Sequence, residues 1–70
     1  MQAGHVYKKT EIVGTSESSL SDAIERAVER ACATLRHVDW FEVVETRGTV
    51  RDGRVESYQV VLKIGFRLED

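Results

Sequence analysis

The dipeptide Asp52-Gly53 constrains the fold of this 70-residue chain more than any other feature. It separates two runs rich in β-branched and aromatic residues, about Trp40 to Arg51 and Arg54 to Leu68. Asp-Gly between two such runs is a strong signal for a two-residue type I′ turn, in which both residues have positive φ. The sequence therefore predicts a long antiparallel hairpin in which Arg51 pairs with Arg54.

The residues before the hairpin predict one strand and one helix. The strand is expected from Val6 to Val13, and Gly14-Thr15-Ser16 is expected to end it. From Leu20 to about His37 the apolar residues recur at helical spacing. They form one stripe, which comprises Leu20, Ile24, Ala27, Val28, Ala31 and Leu35. The predicted fold class is α+β, with the element order β-α-β-β.

The serines before the helix predict where it begins. Ser18 or Ser19 is a plausible N-cap, because a serine hydroxyl can accept a hydrogen bond from the first helical turn. Ser19 with Asp22 three residues later resembles a capping box that uses aspartate.

Size and cysteine usage limit the classes of function. We expect residues 1–70 to form a single domain, and a single core of this size seldom supplies more than about 3–5 kcal/mol. Cys32 is the only cysteine, so it cannot form an internal disulfide, and with His5 and His37 it does not form a metal site. We expect Cys32 to be a small buried or half-buried apolar residue. Oligomerisation is the remaining support for so small a core, and an unpaired cysteine is typical of the reducing cytoplasm.

Charge and hydropathy argue against two kinds of partner. The net charge is -2, which lacks the basic footprint of a nucleic-acid-binding module. No apolar run approaches the length of a membrane span, and no signal peptide is recognised before the first strand.

Counting back from the turn predicts the two faces of the hairpin. Successive side chains of a strand alternate between faces, so Val43 should meet Leu62, Phe41 should meet Ile64 and Glu45 should meet Val60. The face expected to cover the helix carries Phe41, Val43, Tyr58, Val60, Leu62, Ile64, Phe66 and Leu68. The opposite face carries Trp40, Glu42, Val44, Thr46, Val50, Gln59, Val61, Lys63 and Arg67. It is half apolar, and one helix cannot cover both faces, which indicates a partner or ligand surface.

Trp40 is the residue on which the functional interpretation depends. The predicted register places it opposite Gly65, on the face away from the helix, where a flat surface is open. Tryptophan is enriched at protein interfaces and is also a good platform for a planar ligand. The pattern alone leaves both interpretations open.

Several motifs in combination resemble those of the dodecin family. They are YKKTEIVGTSESSLSDAI at residues 7–24, VDWFEV at 38–43, RG at 47–48, YQV at 58–60 and IGFRLE at 64–69. The resemblance extends from about Val6 to Glu69. It implies a three-stranded antiparallel sheet wrapped around one helix, and twelve chains in a hollow shell. It also implies binding of FMN or riboflavin, storage of that flavin with quenching of its excited state, and no enzymatic turnover.

The resemblance assigns roles to four residues. Trp40 matches the tryptophan that stacks on the isoalloxazine ring, and Gln59 matches the glutamine that hydrogen-bonds its polar edge. Glu45 and Arg47 match positions near the ribityl and phosphate end. The predicted register places Glu45 and Arg47 on the face opposite Trp40. We therefore expect either a bulge near Thr46-Gly48 or a contribution from a neighbouring chain.

Other groups have weaker claims to a function. Arg67 and Lys63 point outward and are candidate ligands for coenzyme A, although solvated or intersubunit charges are the more common role. His37 and Asp39 follow the helix without a nucleophile, and a helix C-terminus favours histidine, so no catalytic residue is assigned. The competing interpretation is a purely structural oligomer without a cofactor, in which Trp40 only fills an interface.

The register also predicts that a flavin site is built between chains. Trp40, opposite Gly65, and Gln59 are six residues apart along the last strand, which is roughly 20 Å at 3.3 Å per residue. One ring does not span that distance, so Trp40 and Gln59 of different subunits are expected to share a site.

Overall fold

The structure is a computed structural model that describes residues 4–69. Strand β1 is Tyr7–Ser16, helix α1 is Leu20–Thr34, strand β2 is Val38–Arg51 and strand β3 is Arg54–Arg67. The three strands form one antiparallel sheet in the order β1-β3-β2. The predicted β-α-β-β fold with a three-stranded antiparallel sheet and one helix is confirmed.

The turn between β2 and β3 has the predicted form. Asp52 has φ 53° and Gly53 has φ 78°, and Arg51 pairs with Arg54. Positive φ at both central residues is the requirement of a type I′ turn, so the hairpin signal is confirmed.

Helix α1 begins where the serines predict and ends earlier than its periodicity predicts. Ser19 is the N-cap, and its Oγ accepts a hydrogen bond from the backbone N–H of Asp22 at 3.0 Å. The helix ends at Thr34 rather than near His37, because Leu35 is extended and His37 has φ 60°. The apolar spacing continues to Leu35, but the backbone has already turned toward β2.

The second half of the capping box differs from the expected one. The Asp22 carboxylate does not reach back to the N-cap; it accepts hydrogen bonds from Ser16 Oγ at 2.6 Å and from Arg26 Nε at 2.7 Å. Ser16 Oγ also accepts from the N–H groups of Ser18 and Ser19. Ser16 therefore connects the end of β1 to the first turn of the helix.

Strand β1 passes through Gly14 instead of stopping there. Gly14 is paired with Val60 and faces the helix, where a Cβ would collide with the carbonyl oxygen of Ala23 and lie 2.8 Å from Ala27 Cβ. Glycine is required at position 14 because strand and helix approach each other closely there. The strand continues to Ser16, and the prediction that Gly14-Thr15-Ser16 ends it was wrong.

The core lies between α1 and the central strand β3. Its buried residues are Ala23, Ala27, Ala31, Val60, Leu62 and Ile64, with Ile12, Ile24, Val28, Leu35 and Val38 packed around them. The predicted helical stripe is largely correct, except that Ala23 is buried and Leu20 is exposed. Small alanine side chains let the helix approach the sheet closely.

Besides Leu20, four residues assigned to the interior are exposed in the single chain, one of which is Leu68 at 40%. Phe41 and Val43 do point to the helix side of the sheet, but they are 46% and 45% exposed, because α1 packs mainly on β1 and β3 and the part of β2 that packs on the core is Val38. Cys32 is also exposed, which corrects the expectation that it is buried or half-buried.

Candidate functional site

Trp40 lies on the sheet face away from the helix, across the backbone of Gly65. The two residues are paired as predicted. A Cβ at position 65 would collide with the indole ring, whose atoms Cε2, Cζ2 and Cδ2 are its nearest neighbours. Trp40 is 36% exposed. One side of the indole ring is therefore supported by backbone, and glycine is the only residue type at position 65 that leaves room for the ring.

Two side chains contact the indole ring, and a third contacts one of these two. Tyr7 contacts it edge to face, with centroids 5.1 Å apart and planes at 63°. Trp40 Nε1 donates a 3.2 Å hydrogen bond to Glu42 Oε2. Lys9 Nζ donates to Glu42 Oε2 at 3.1 Å and to Oε1 at 3.2 Å. The hydrogen bonds from Lys9 and then Trp40 lower the pKa of Glu42 below its ordinary value, so the carboxylate is ionised at neutral pH.

Two irregularities of the hairpin decide where Glu45 and Arg47 point. Val43 pairs with Leu62 as predicted, but Glu45 pairs with Val61 rather than with Val60, and Val44 is the extra residue on β2 between these two pairs. Nearer the turn, Thr49 pairs with Ser57 and Val50 with Val55, which leaves Glu56 as the extra residue on β3. The two offsets cancel beyond Val44.

The bulge at Val44 reverses which face of the sheet the following β2 side chains point to. Glu45, Arg47 and Thr49 share the face of Trp40, whereas Thr46, assigned to that face from the sequence, is opposite Val60 and faces the helix side. Of the two explanations considered from the sequence, the structure has a bulge, placed at Val44 rather than at Thr46-Gly48.

Gln59, Arg47 and Glu45 form one polar row on this face. Arg47 Nε donates a 2.6 Å hydrogen bond to Gln59 Oε1, and Arg47 Nη1 lies 3.7 Å from Glu45 Oε2. The structure brings these three predicted residues together. Glu45 and Arg47 are each about half exposed, at 53%, so the guanidinium remains open to an anion.

Trp40 and Gln59 occupy separate parts of the same face. Trp40 is opposite Gly65 and Gln59 is opposite Arg47, and Lys63 and Val61 lie between them on β3. Six residues of strand correspond to roughly 20 Å. Within one chain, the four predicted site residues therefore form a cluster of three and a separate aromatic site.

Lys63 and Arg67 are on this face too, but their charges have partners nearby. Lys63 is half-buried and stands opposite Glu11 and Glu42. Arg67 is opposite Tyr7, and its Nη2 lies 3.3 Å from His37 Nδ1. Both positive groups adjoin the Trp40 end of the face rather than the Gln59 end.

The sequence interpretation missed three neighbours of Trp40. Glu42 could have been identified, because residues two apart on a strand share a face. Tyr7 and Lys9 could not, since they reach Trp40 only through the pairing of β1 with β3, which no turn signal defines.

Other features of residues 4–69 give less indication of a functional site. An open, mostly apolar groove of about 300 Å³ lies between β1 and α1, on the helix side and away from Trp40 and Gln59. These residues hold no group of three or more His, Cys, Asp or Glu placed to bind a metal ion. In the same range, no helix is long and apolar enough to cross a bilayer.

Comparisons with known proteins agree with this geometry. The sequence model of the Dodecin family matches residues 6–69. The dodecin of Thermus thermophilus is 61% identical over 67 residues, which cover 96% of this chain and 97% of that protein. A crystal structure from the same organism, also 61% identical, superposes with a TM-score of 0.90 and covers 96% of this chain and 98% of that one.

A second solved relative comes from another organism. The dodecin of Streptomyces coelicolor is 51% identical, covers 99% of both chains and superposes with a TM-score of 0.92. Family match, sequence identity and fold agree over nearly the whole chain, and on these grounds the chain belongs to the dodecin family.

Proposed function

We propose that this protein binds a flavin, FMN or riboflavin, and stores it with its excited state quenched, inside a homododecameric hollow shell. The observation that carries the proposal is the Trp40 ring lying flat on Gly65, on a sheet face that also bears the Gln59, Arg47 and Glu45 row. Aromatic surface and polar groups of this kind match the two chemically different ends of a flavin mononucleotide.

Trp40 supplies the stacking surface. Stacking on an aromatic side chain contributes roughly 1–3 kcal/mol by analogy with nucleic-acid bases. The indole is electron-rich, and it can donate an electron to the excited ring, so that the energy is lost without emission. A bound flavin supplies the light-absorbing ring.

The polar row supplies the directional contacts. Gln59 offers an amide with both donor and acceptor atoms, which the alternating polar edge of an isoalloxazine ring requires. Arg47 has the forked donors that suit a phosphate, and it already contacts Gln59 and Glu45. Arg47 and Glu45 would hold the ribityl and phosphate end.

We place each flavin site between chains. Trp40 and Gln59 of one chain are roughly 20 Å apart along β3, while the ring is on the order of 10 Å long, judged from the size of stacked aromatics. A ring held by both residues therefore requires Trp40 and Gln59 from different subunits. Binding and assembly are coupled in this proposal.

The exposed surface supports an assembly of many chains. The radius of gyration is 14.9 Å, whereas a compact 70-residue domain has about 11 Å. Phe41, Val43, Val44, Val50 and Val55 are each 45–70% exposed. A hairpin this long and this apolar needs neighbouring chains to cover it.

The proposal extends to turnover, a second ligand and cellular location. We propose no enzymatic turnover, with Trp40 as a stacking and quenching group only. Lys63 and Arg67 lie on the same face and are candidates to hold the anionic part of coenzyme A as a second ligand. A cytoplasmic location suits the exposed thiol of the only cysteine, Cys32.

A fluorescence titration tests the flavin proposal. FMN is titrated with the purified protein while its emission is followed, and the oligomer is measured by light scattering. We expect quenching in the wild type and less quenching at the same occupancy in Trp40→Phe. The alternative function, a structural oligomer without a cofactor, is favoured if the assembly is large but FMN emission never changes.

A further inference from the structure

We propose that Glu42 is a positioning residue that holds the Trp40 ring on Gly65 before any ligand arrives. The contact is direct, since Trp40 Nε1 donates to Glu42 Oε2 at 3.2 Å. The two residues are two apart on β2 and share a face. The inference rests on the proposed function in one respect: the purpose of holding the ring is to bind a flavin.

Lys9 holds the Glu42 carboxylate from the other edge strand of the sheet, on the same face. Its Nζ donates to both oxygens of Glu42, at 3.1 Å and 3.2 Å. Lys9 is on β1 and Glu42 is on β2, so the pair crosses the central strand at Gly65, the residue opposite Lys9 and opposite Trp40. The missing side chain at Gly65 leaves space for the indole.

A held ring is a better stacking platform than a mobile one. An exposed tryptophan that rotates freely must lose that freedom when a ligand stacks on it, and the loss reduces affinity. Trp40 is limited on one side by Gly65, by an edge-to-face contact with Tyr7 and at Nε1 by Glu42. Glu42 is the one of these three that acts through a hydrogen bond, so it fixes the in-plane direction of the indole.

The pair is partly exposed, with 44% of the Lys9 side chain and 43% of the Glu42 side chain accessible. Its contribution to global stability is therefore expected to be small, because water and salt screen it. Lys63, opposite Glu42, adds a further favourable charge. A positioning role without a large stability role is thus the specific expectation.

Time-resolved fluorescence anisotropy of ligand-free protein tests the inference, because Trp40 is the only tryptophan. The test variant is Glu42→Leu, which keeps a side chain of similar bulk and has no oxygen to accept the hydrogen bond from Trp40. The matched control is Glu11→Leu, which makes the same change on the same face, also opposite Lys63. We expect a larger fast depolarisation of the indole in Glu42→Leu and an unchanged decay in Glu11→Leu. Identical decays in wild type and Glu42→Leu would overturn the proposal.

A pH titration provides a second readout. In the wild type, the fast depolarisation of the indole should increase as acid protonates Glu42, below that carboxyl's ordinary pKa of 4.5, and Glu42→Leu should lack this transition. Lys9→Gln, which leaves the hydrogen bond from Trp40 but frees the carboxylate, should give an intermediate decay. A wild-type decay that stays constant through the titration, in assemblies that remain intact, would count against Glu42.

Flavin binding separates this inference from the function on which it rests. We expect Glu42→Leu to bind FMN about tenfold more weakly, which corresponds to roughly 1.4 kcal/mol. In a Trp40→Phe background, which has no indole N–H, the same change should have no further effect. If wild type binds no FMN, the proposed function fails while the anisotropy result stands. If wild type binds FMN and Glu42→Leu weakens that binding equally in both backgrounds, the positioning role is wrong.

Discussion

Arg47 donates a 2.6 Å hydrogen bond to Gln59 from the directly opposite position on the neighbouring strand. In an uninterrupted ladder counted from the Asp52-Gly53 turn, Arg47 would instead face Tyr58 on the helix side. The extra residue Glu56 on β3 creates the pairing with Gln59, and the extra residue Val44 on β2 restores the register before Trp40. Two offsets of one residue thus gather the polar groups on the face of Trp40.

The first prediction concerns the phosphate end of the proposed ligand. Arg47→Ala should weaken FMN binding about tenfold, as expected for loss of a charged hydrogen bond worth about 1.5 kcal/mol, and should weaken riboflavin binding much less. Parallel fluorescence titrations with both flavins measure this, and riboflavin serves as the control without a phosphate. Equal loss for both ligands would mean that Arg47 acts only by holding Gln59 or the subunit interface.

The second prediction concerns Gly65. In Gly65→Ala the new methyl group collides with the Trp40 ring and should push it off the sheet, with a destabilisation of about 1 kcal/mol because the exposed ring can move. We expect a shifted Trp40 emission spectrum and weaker FMN quenching. The control is Gly4→Ala, where a Cβ meets nothing within 4 Å. An unchanged emission spectrum would show that the ring does not depend on this glycine.

The third prediction concerns Gly14, whose neighbours are the backbone of Ala23 and the Cβ of Ala27, and neither can rotate away. Gly14→Ala should lower the free energy of unfolding by about 1–3 kcal/mol, the usual cost of overpacking. Chemical denaturation at fixed protein concentration measures it. Gly4→Ala shares the loss of unfolded-chain entropy without the contact with Ala23 and Ala27. Equal stability of the two variants would refute the close approach of β1 and α1.

The fourth prediction concerns acid. The hydroxyl of Ser16, and then Arg26, lower the pKa of Asp22 below its ordinary value of 3.8. A lowered pKa means that the ionised carboxylate stabilises the fold at higher pH, and that this contribution is lost as pH falls through the folded-state pKa. The difference in unfolding midpoint between wild type and Asp22→Asn should therefore be constant near neutrality and shrink below pH 3.8. A difference that persists unchanged into strong acid would contradict it.

The sequence predicts what local signals define. The turn has a specific dipeptide, Ser19 is a standard cap, and the Trp40–Gly65 pair was correctly placed because the two offsets cancel before it. The pairing of Glu45 was wrong because neither Val44 nor Glu56 has a residue type that marks a bulge. Alternation likewise identified an apolar face at Phe41 but not what covers it.

The ends of elements were the other failures, for physical reasons. Apolar spacing continues past Thr34, yet the chain leaves the helix there and His37 adopts positive φ, a conformation that histidine adopts more often than most residues. Gly14 was interpreted as a strand terminator, although its role is to admit the helix. Neither the end of the helix nor the role of Gly14 is defined by local sequence, because both depend on how α1 packs on the sheet.

The most direct test of the central claim, a flavin site shared between chains, is subunit complementation. Trp40→Ala and Gln59→Ala chains are unfolded together, refolded as mixed assemblies and titrated with FMN at a concentration that neither variant alone binds. If Trp40 and Gln59 of different subunits form each site, some mixed sites receive an intact tryptophan from one chain and an intact glutamine from another, and binding with quenching returns. If both residues of one chain form the site, no mixed site is complete. Mixed assemblies that bind no more FMN than the separate variants would contradict the account.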